Sequence, residues 1–309
     1  MTAATVKFKR GIIQARGLGD IIIALPIAQH YYDQGEEIIW PICEEFYSSV
    51  KDNAPWVTWV PITTDKEGRF FLDRPLEVFR ERGVDVDEAL YLYQYLNTVP
   101  ELTDPEMFNI LKFDQYKYQT AGVPFVNKWT LGRSITRIES REQALRDRLT
   151  TAGFDLDKPY CVAHLTGSSA RVDKTIITWL DPAVQVVNID LYLTDSIFDW
   201  CGVLEGAASI VCLDSAVANM VDQLGIRGPD LFWIRRSAWD LTPVLGNSWT
   251  IVPTNLPIKE PTRVDPAVEA GKKQAAQPRQ GSDGGLVSHV PFETNKTGFP
   301  TSFMSALKR

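Results

Sequence analysis

The 309-residue chain is short of several things, and each shortage closes off a class of function. No apolar run reaches the roughly 18–20 residues that cross a bilayer. The opening MTAATVKFKRGII lacks the long apolar stretch of a secretory leader, so a cytoplasmic location is expected. Four cysteines (Cys43, Cys161, Cys201, Cys212) contain no C-x-x-C pair, which argues against a zinc ribbon or a disulfide framework. Three histidines (His30, His164, His289) contain no H-x-x-x-H pair, and neither a metal nor another cofactor is expected. The net charge of −7 speaks against broad adhesion to nucleic acid. The stretch from Thr254 onward differs in sign, with eight Lys/Arg against five Asp/Glu, which leaves −10 on the body.

What is present is ordinary for a globular protein, with 44% hydrophobic and 23% charged residues. Short apolar runs alternate with amphipathic ones. GIIQA (11–15), EEIIW (36–40), WVTWVP (56–61) and EALYLYQY (88–95) read as strands. Between them, 20–35, 43–51 and 75–83 read as helices, with a kink expected at Pro26. Residues 96–131 have a poorer pattern and many aromatics, including Phe108, Phe113, Tyr116, Tyr118, Phe125 and Trp129. These either stack on a sugar or base, or pack in a core. A helix over RIESREQALRDRLTTAG precedes a second alternation: strands at 160–165, 184–189, 208–213 and 230–234, with helices over DSIFDWCGVLEGA and SAVANMVDQLG. Strands alternating with helices predict two parallel α/β units. Residues 1–155 form the first and 156–253 the second. The Pro- and Gly-rich stretch 254–309 is expected to be a flexible, largely irregular tail whose last residues dock back.

Three stretches carry chemistry. After the first strand, Arg16-Gly17-Leu18-Gly19-Asp20 leads into a helix. Ile22 stands where a dinucleotide fingerprint needs its third glycine. Asp20 either caps that helix or acts from a cleft as a general base. HLTGSSARVDK (164–174) follows a strand and offers Thr166, Gly167, Ser168 and Ser169 with the cations Arg171 and Lys174. That mixture suits a phosphate or diphosphate, or simply a polar surface turn. His164 by itself reads as a packed or hydrogen-bonded residue. In ASIVCLDSAVANMVDQLG, Asp214 and Ser215 open an apolar helix with Asn219 one turn on. They either hold a sugar or phosphate, or Asp214 serves as an N-cap.

GLGDIIIALPIAQ resembles the G-D-hydrophobic-x-x-x-P turn and helix of the heptosyltransferase group, glycosyltransferase family 9. YCVAHLTGSSARVDKTIITWL is similar to that family's strand and phosphate-binding loop. LEGAASIVCLDSAVANMVDQLG is similar to its late turn, D-[ST]-G-x-x-H. The three occur in the family's order. The resemblance implies a GT-B fold: two Rossmann-like domains facing a cleft, acceptor on the N-terminal side and nucleotide-sugar on the other. It implies an inverting, metal-independent glycosyltransferase with Asp20 as catalytic base, beside an acceptor-side loop of Arg16, Gly17 and Gly19. Thr166, Gly167, Ser168, Ser169, Arg171 and Lys174 would hold the donor diphosphate, and Asp214, Ser215 and Asn219 the donor sugar or phosphates. The acceptor would be a glycan, a lipid-linked saccharide or a modified nucleic-acid base. Two positions depart from the pattern, Ala216 for glycine and Asn219 for histidine. They favour the alternative of a non-catalytic nucleotide- or glycan-binding protein. The missing third glycine speaks against a further alternative, a nucleotide-sugar epimerase or oxidoreductase.

Overall fold

Apolar runs of five to seven residues are too short to make buried helices and are long enough for strands covered on both faces. The computed structural model describes residues 8–63, 70–93, 111–167, 171–172, 177, 180–190, 193–235 and 242–252. In it β1 (Lys9–Ile13), β2 (Glu37–Cys43), β3 (Val57–Ile62) and β4 (Leu90–Tyr91) form a parallel sheet in the order β3-β2-β1-β4. α1 (Leu18–Asp33), α2 (Glu44–Val50) and α3 (Phe70–Arg82) lie between these strands in sequence. A second parallel sheet has the order β6-β5-β7-β8-β9. Its strands are β5 (Tyr160–His164), β6 (Gln185–Asn188), β7 (Ser209–Leu213), β8 (Asp230–Ile234) and β9 (Thr250–Val252). Between the sheets in sequence come α4 (Phe113–Thr120), α5 (Leu131–Ser134) and α6 (Glu139–Thr151); α7 (Cys201–Glu205) and α8 (Ala216–Leu224) belong to the second unit.

Several elements differ from expectation. The strand expected over 88–95 narrows to Leu90–Tyr91, and its last two residues lie outside the described ones. α1 runs through Pro26 as a single helix, with Ile21 to Ala28 all buried. α4 emerges from the stretch that carried no clear pattern, because its buried residues include Asp114, Lys117 and Thr120. A helix that buries polar groups leaves no apolar stripe to read. Tyr116 and Tyr118 are core residues, Tyr118 donating from its hydroxyl to the Ile23 carbonyl at 3.0 Å. Phe125 meets Tyr118 and Trp129 edge-on, so core packing rather than an open stacking platform is the role of these rings. Phe108 and the tail 254–309 lie outside the described residues.

The two sheets share one apolar core. Ile12, Ile22 and Leu25 belong to the same cluster as Leu145 and Leu149 of α6 and Val162, Ile210 and Met220 of the second unit. Polar contacts stitch the seam. Ser196 Oγ donates to the Ser49 carbonyl at 2.8 Å and lies 2.7 Å from Asn53 Oδ1, while Arg141 bridges Asp52 (2.9 Å) and Asp199 (3.0 Å). Deeper in, the fully buried Lys128 ammonium donates to Asp114 Oδ2 at 2.7 Å and to the Val244 carbonyl, and lies 4.0 Å from Asp222 Oδ2. Asp222 accepts from the Gly246 and Asn247 amides, each at 3.0 Å, and from Trp249 Nε1 at 2.9 Å.

Replacing Lys128 with Met would leave two buried carboxylates without their cation. Removing one member of a buried ionic cluster costs about 3–5 kcal/mol. The denaturant midpoint of Lys128→Met is expected to fall accordingly at unchanged slope. A loss below about 1 kcal/mol would show that the cluster is not under this constraint.

Candidate functional site

In an open parallel sheet, ligands bind beyond the strand C-termini where the strand order reverses. The first sheet reverses between β1 and β4, since the chain runs outward through β2 and β3 and returns to the other side of β1. The second reverses between β5 and β7. Those of the predicted site residues that are described fall at these two places.

At the first, Gly17 is the N-cap of α1 with φ +82°, a conformation that side chains with a Cβ rarely take. A Cβ there would also sit 2.8 Å from Asp20 Oδ2, so glycine gives room to the carboxylate as well as the turn its shape. Asp20 lies in the first turn of α1, where the helix dipole favours negative charge, but it does not cap the helix. Its side chain is 40% exposed and its Oδ1 lies 3.1 Å from Lys117 Nζ. Lys117 is buried and also donates to Gln14 Oε1 and the Leu92 carbonyl, both at 2.7 Å. The Arg16 amide donates to the Tyr93 hydroxyl at 2.9 Å, and the Arg16 side chain faces solvent.

At the second, His164 ends β5 and its Nδ1 is 2.9 Å from Ser215 Oγ. Ser215, not Asp214, caps α8, its Oγ accepting from the Ala218 amide at 3.5 Å. Asp214 is buried beside it, its amide bonded to the Ile234 carbonyl at 2.9 Å. Asn219 donates from Nδ2 to the Ser215 carbonyl at 3.0 Å, and its buried Oδ1 has no partner among the described residues. Thr166 and Arg171 form an antiparallel bridge, and the Val172 amide donates to the Leu165 carbonyl at 2.9 Å, so this loop folds back on itself. Gly167 lies within it; Ser168, Ser169 and Lys174 lie outside the described residues. No group of three metal-ligating side chains lies together among the described residues, and no described helix is long and apolar enough to cross a membrane.

The two clusters meet. A Cβ on Gly19 would lie 3.3 Å from Asn219 Nδ2 and 3.4 Å from Ala216 Cα, so the Asp20 turn packs directly on the start of α8. The sequence reading missed Lys117, Gln14 and Tyr93. The signal for Lys117 was a lysine held between two tyrosines in QYKYQ, an unusual setting for a solvated cation.

His164 provides a test. Burial pushes its imidazole down to about 4, against about 6.5 when unfolded. Between those values the unfolded chain binds a proton that the folded chain refuses, so stability drops as pH falls through that window. The contribution is about 3 kcal/mol across the full window. The stability of His164→Gln is expected to depend less steeply on pH between 6.5 and 4 than that of the parent. Parallel curves would mean that the buried imidazole is not the group responsible.

Comparison with known proteins finds similarity in fold. A glycosyl transferase family 9 protein from Veillonella parvula matches at TM-score 0.51 and 12% identity, over 88% of this chain and 90% of that one. The E. coli heptosyltransferase WaaC with ADP-2-deoxy-2-fluoro heptose matches at TM-score 0.45 and 12% identity, over 87% and 100%. The E. coli ADP-heptose heptosyltransferase II matches at 0.47 and 10%, over 87% and 98%. No protein-family model and no curated protein matches the chain. The two parallel α/β sheets, together with the likeness in fold to the Veillonella protein, give this chain the GT-B fold.

Proposed function

We propose that the protein is a glycosyltransferase that moves a sugar from a nucleotide-sugar donor to an acceptor hydroxyl with inversion and without a metal. The observation that carries this reading is the meeting of two polar clusters, one at each switch point, across the Gly19–Asn219 contact. One cluster has a half-exposed carboxylate and the other a buried set of hydroxyl, amide and carboxylate groups. Asp20 takes the proton of the acceptor hydroxyl as its oxygen attacks the anomeric carbon. The bond from that carbon to the diphosphate breaks on the opposite face, and the nucleoside diphosphate leaves with the electron pair. Arg171, Thr166 and Gly167, with Ser168, Ser169 and Lys174, would hold the diphosphate, while Asp214, Ser215 and Asn219 would hold the sugar or phosphates. The residues around Arg16 would face the acceptor. Ala216 and Asn219 favour a second reading, binding without transfer.

Thermal unfolding against ADP, GDP, UDP, CDP and their sugars, with EDTA present, tests the donor. A ligand at about 100 times its Kd adds roughly 2.7 kcal/mol, a measurable shift. A selective shift in EDTA supports a metal-independent donor site, and no shift across the panel overturns the reading. Asp20→Asn should keep that shift but lose roughly 10²–10⁴-fold in transfer. Binding with no transfer by the parent protein would favour the second reading.

A further inference from the structure

A lysine that is 2% exposed must give each of its three N–H groups an acceptor or lose their solvation. Lys117 has three: Gln14 Oε1, the Leu92 carbonyl and Asp20 Oδ1. Gln14 directly follows β1 and Leu92 directly follows β4, so the ammonium closes the floor of the first switch point. The first two partners are themselves fixed. Gln14 Nε2 donates to the Arg16 carbonyl at 2.8 Å, the Gln14 carbonyl accepts from Trp40 Nε1 at 3.1 Å, and the Leu92 amide donates to the Ile13 carbonyl at 3.2 Å. Asp20 is the one partner with substantial exposure. Two bonds to the strand ends hold the cation in place, and the third reaches out to the carboxylate.

We propose that Lys117 is a positioning residue for Asp20. It ties Oδ1 and thereby fixes the orientation in which Oδ2, packed where a Cβ on Gly17 would stand, meets the acceptor hydroxyl. A carboxylate in the first turn of a helix can otherwise rotate about χ1 and χ2, and a base misplaced by an ångström loses roughly 10²-fold in rate. The inference rests on the reading of Asp20 as the base.

The test uses the full chain and acceptor-independent turnover, in which water is the acceptor and released nucleoside diphosphate is measured from ADP-, GDP-, UDP- and CDP-sugars. Lys117→Met is expected to lower kcat by roughly 10²-fold with the donor KM within about twofold. In an Asp20→Asn background, adding Lys117→Met should change kcat by less than about twofold, because its effect passes through the missing carboxylate. Unchanged kcat in the single variant, or the same fold-loss in both backgrounds, overturns the proposal while leaving Asp20 as base. Release from no donor by the parent protein withdraws both. A crystal structure of Lys117→Met gives a reading free of turnover: Asp20 should leave its orientation, and an unmoved carboxylate overturns the proposal. Lys117→Gln, which keeps two N–H donors without the charge, is read by the same criteria should the Met variant fail to fold.

Discussion

The arrangement of the site depends on a buried ammonium that the chemistry does not use. Lys128 lies among Asp114 of α4, Asp222 of α8 and the backbone of the segment around Val244. Enclosing these charges is costly, and hydrophobic replacements often do as well or better for stability alone. What the cluster supplies is registry. An apolar contact between α4 and α8 could slide by a turn at little cost, whereas displaced carboxylates would lose the Lys128 ammonium. The Gly246 and Asn247 amides and the Trp249 indole, all donating to Asp222, extend the same constraint to the approach to β9.

Both helices pass that registry to the site through i, i+3 spacing. On α4, Asp114 faces the cluster and Lys117, three residues on, reaches Asp20. On α8, Asp222 faces the cluster and Asn219, three residues before it, lies against Gly19. Residues three apart share a helix face, so each helix carries one polar group for the lock and one for the candidate site. The contact between the Asp20 turn and the start of α8 is thus set from behind on both sides.

This explains which parts of the molecule were legible in its sequence. The strands β1, β2, β3, β5, β7 and β8 and the helices α1, α6 and α8 stand close to where apolar runs and turn residues place them, and the signal is most continuous in β2, β5 and β7, which are buried along almost their whole length. The opening glycine turn was legible because Gly17 requires its positive φ. α4 was not, because its buried face is built from Asp114, Lys117 and Thr120, which a search for apolar periodicity reads as surface. β9 was not, because three residues with two exposed give no pattern. Capping of α8 by Ser215 rather than Asp214 could not be decided from adjacent residues of equal capping preference.

Of the two departures from the family pattern, Ala216 adds a methyl group and leaves the charge unchanged, while Asn219 removes a group that could be charged. Asn219 occupies its position with an amide that bonds back to the Ser215 carbonyl and leaves Oδ1 as an acceptor without a partner among the described residues. Histidine there could carry a proton; asparagine cannot. His164, the imidazole that does reach Ser215, is held neutral by burial well below the usual range. On the proposed reading, Asn219 therefore offers a sugar hydroxyl a neutral acceptor, not a cation, beside the buried Asp214. Charge on the departing diphosphate would then have to be met by Arg171 and Lys174 and by the α8 dipole. On that reading a sugar-binding wall without a cation and a separate cationic loop would divide recognition from leaving-group stabilisation, so asparagine in place of histidine at 219 need not remove the driving force for transfer.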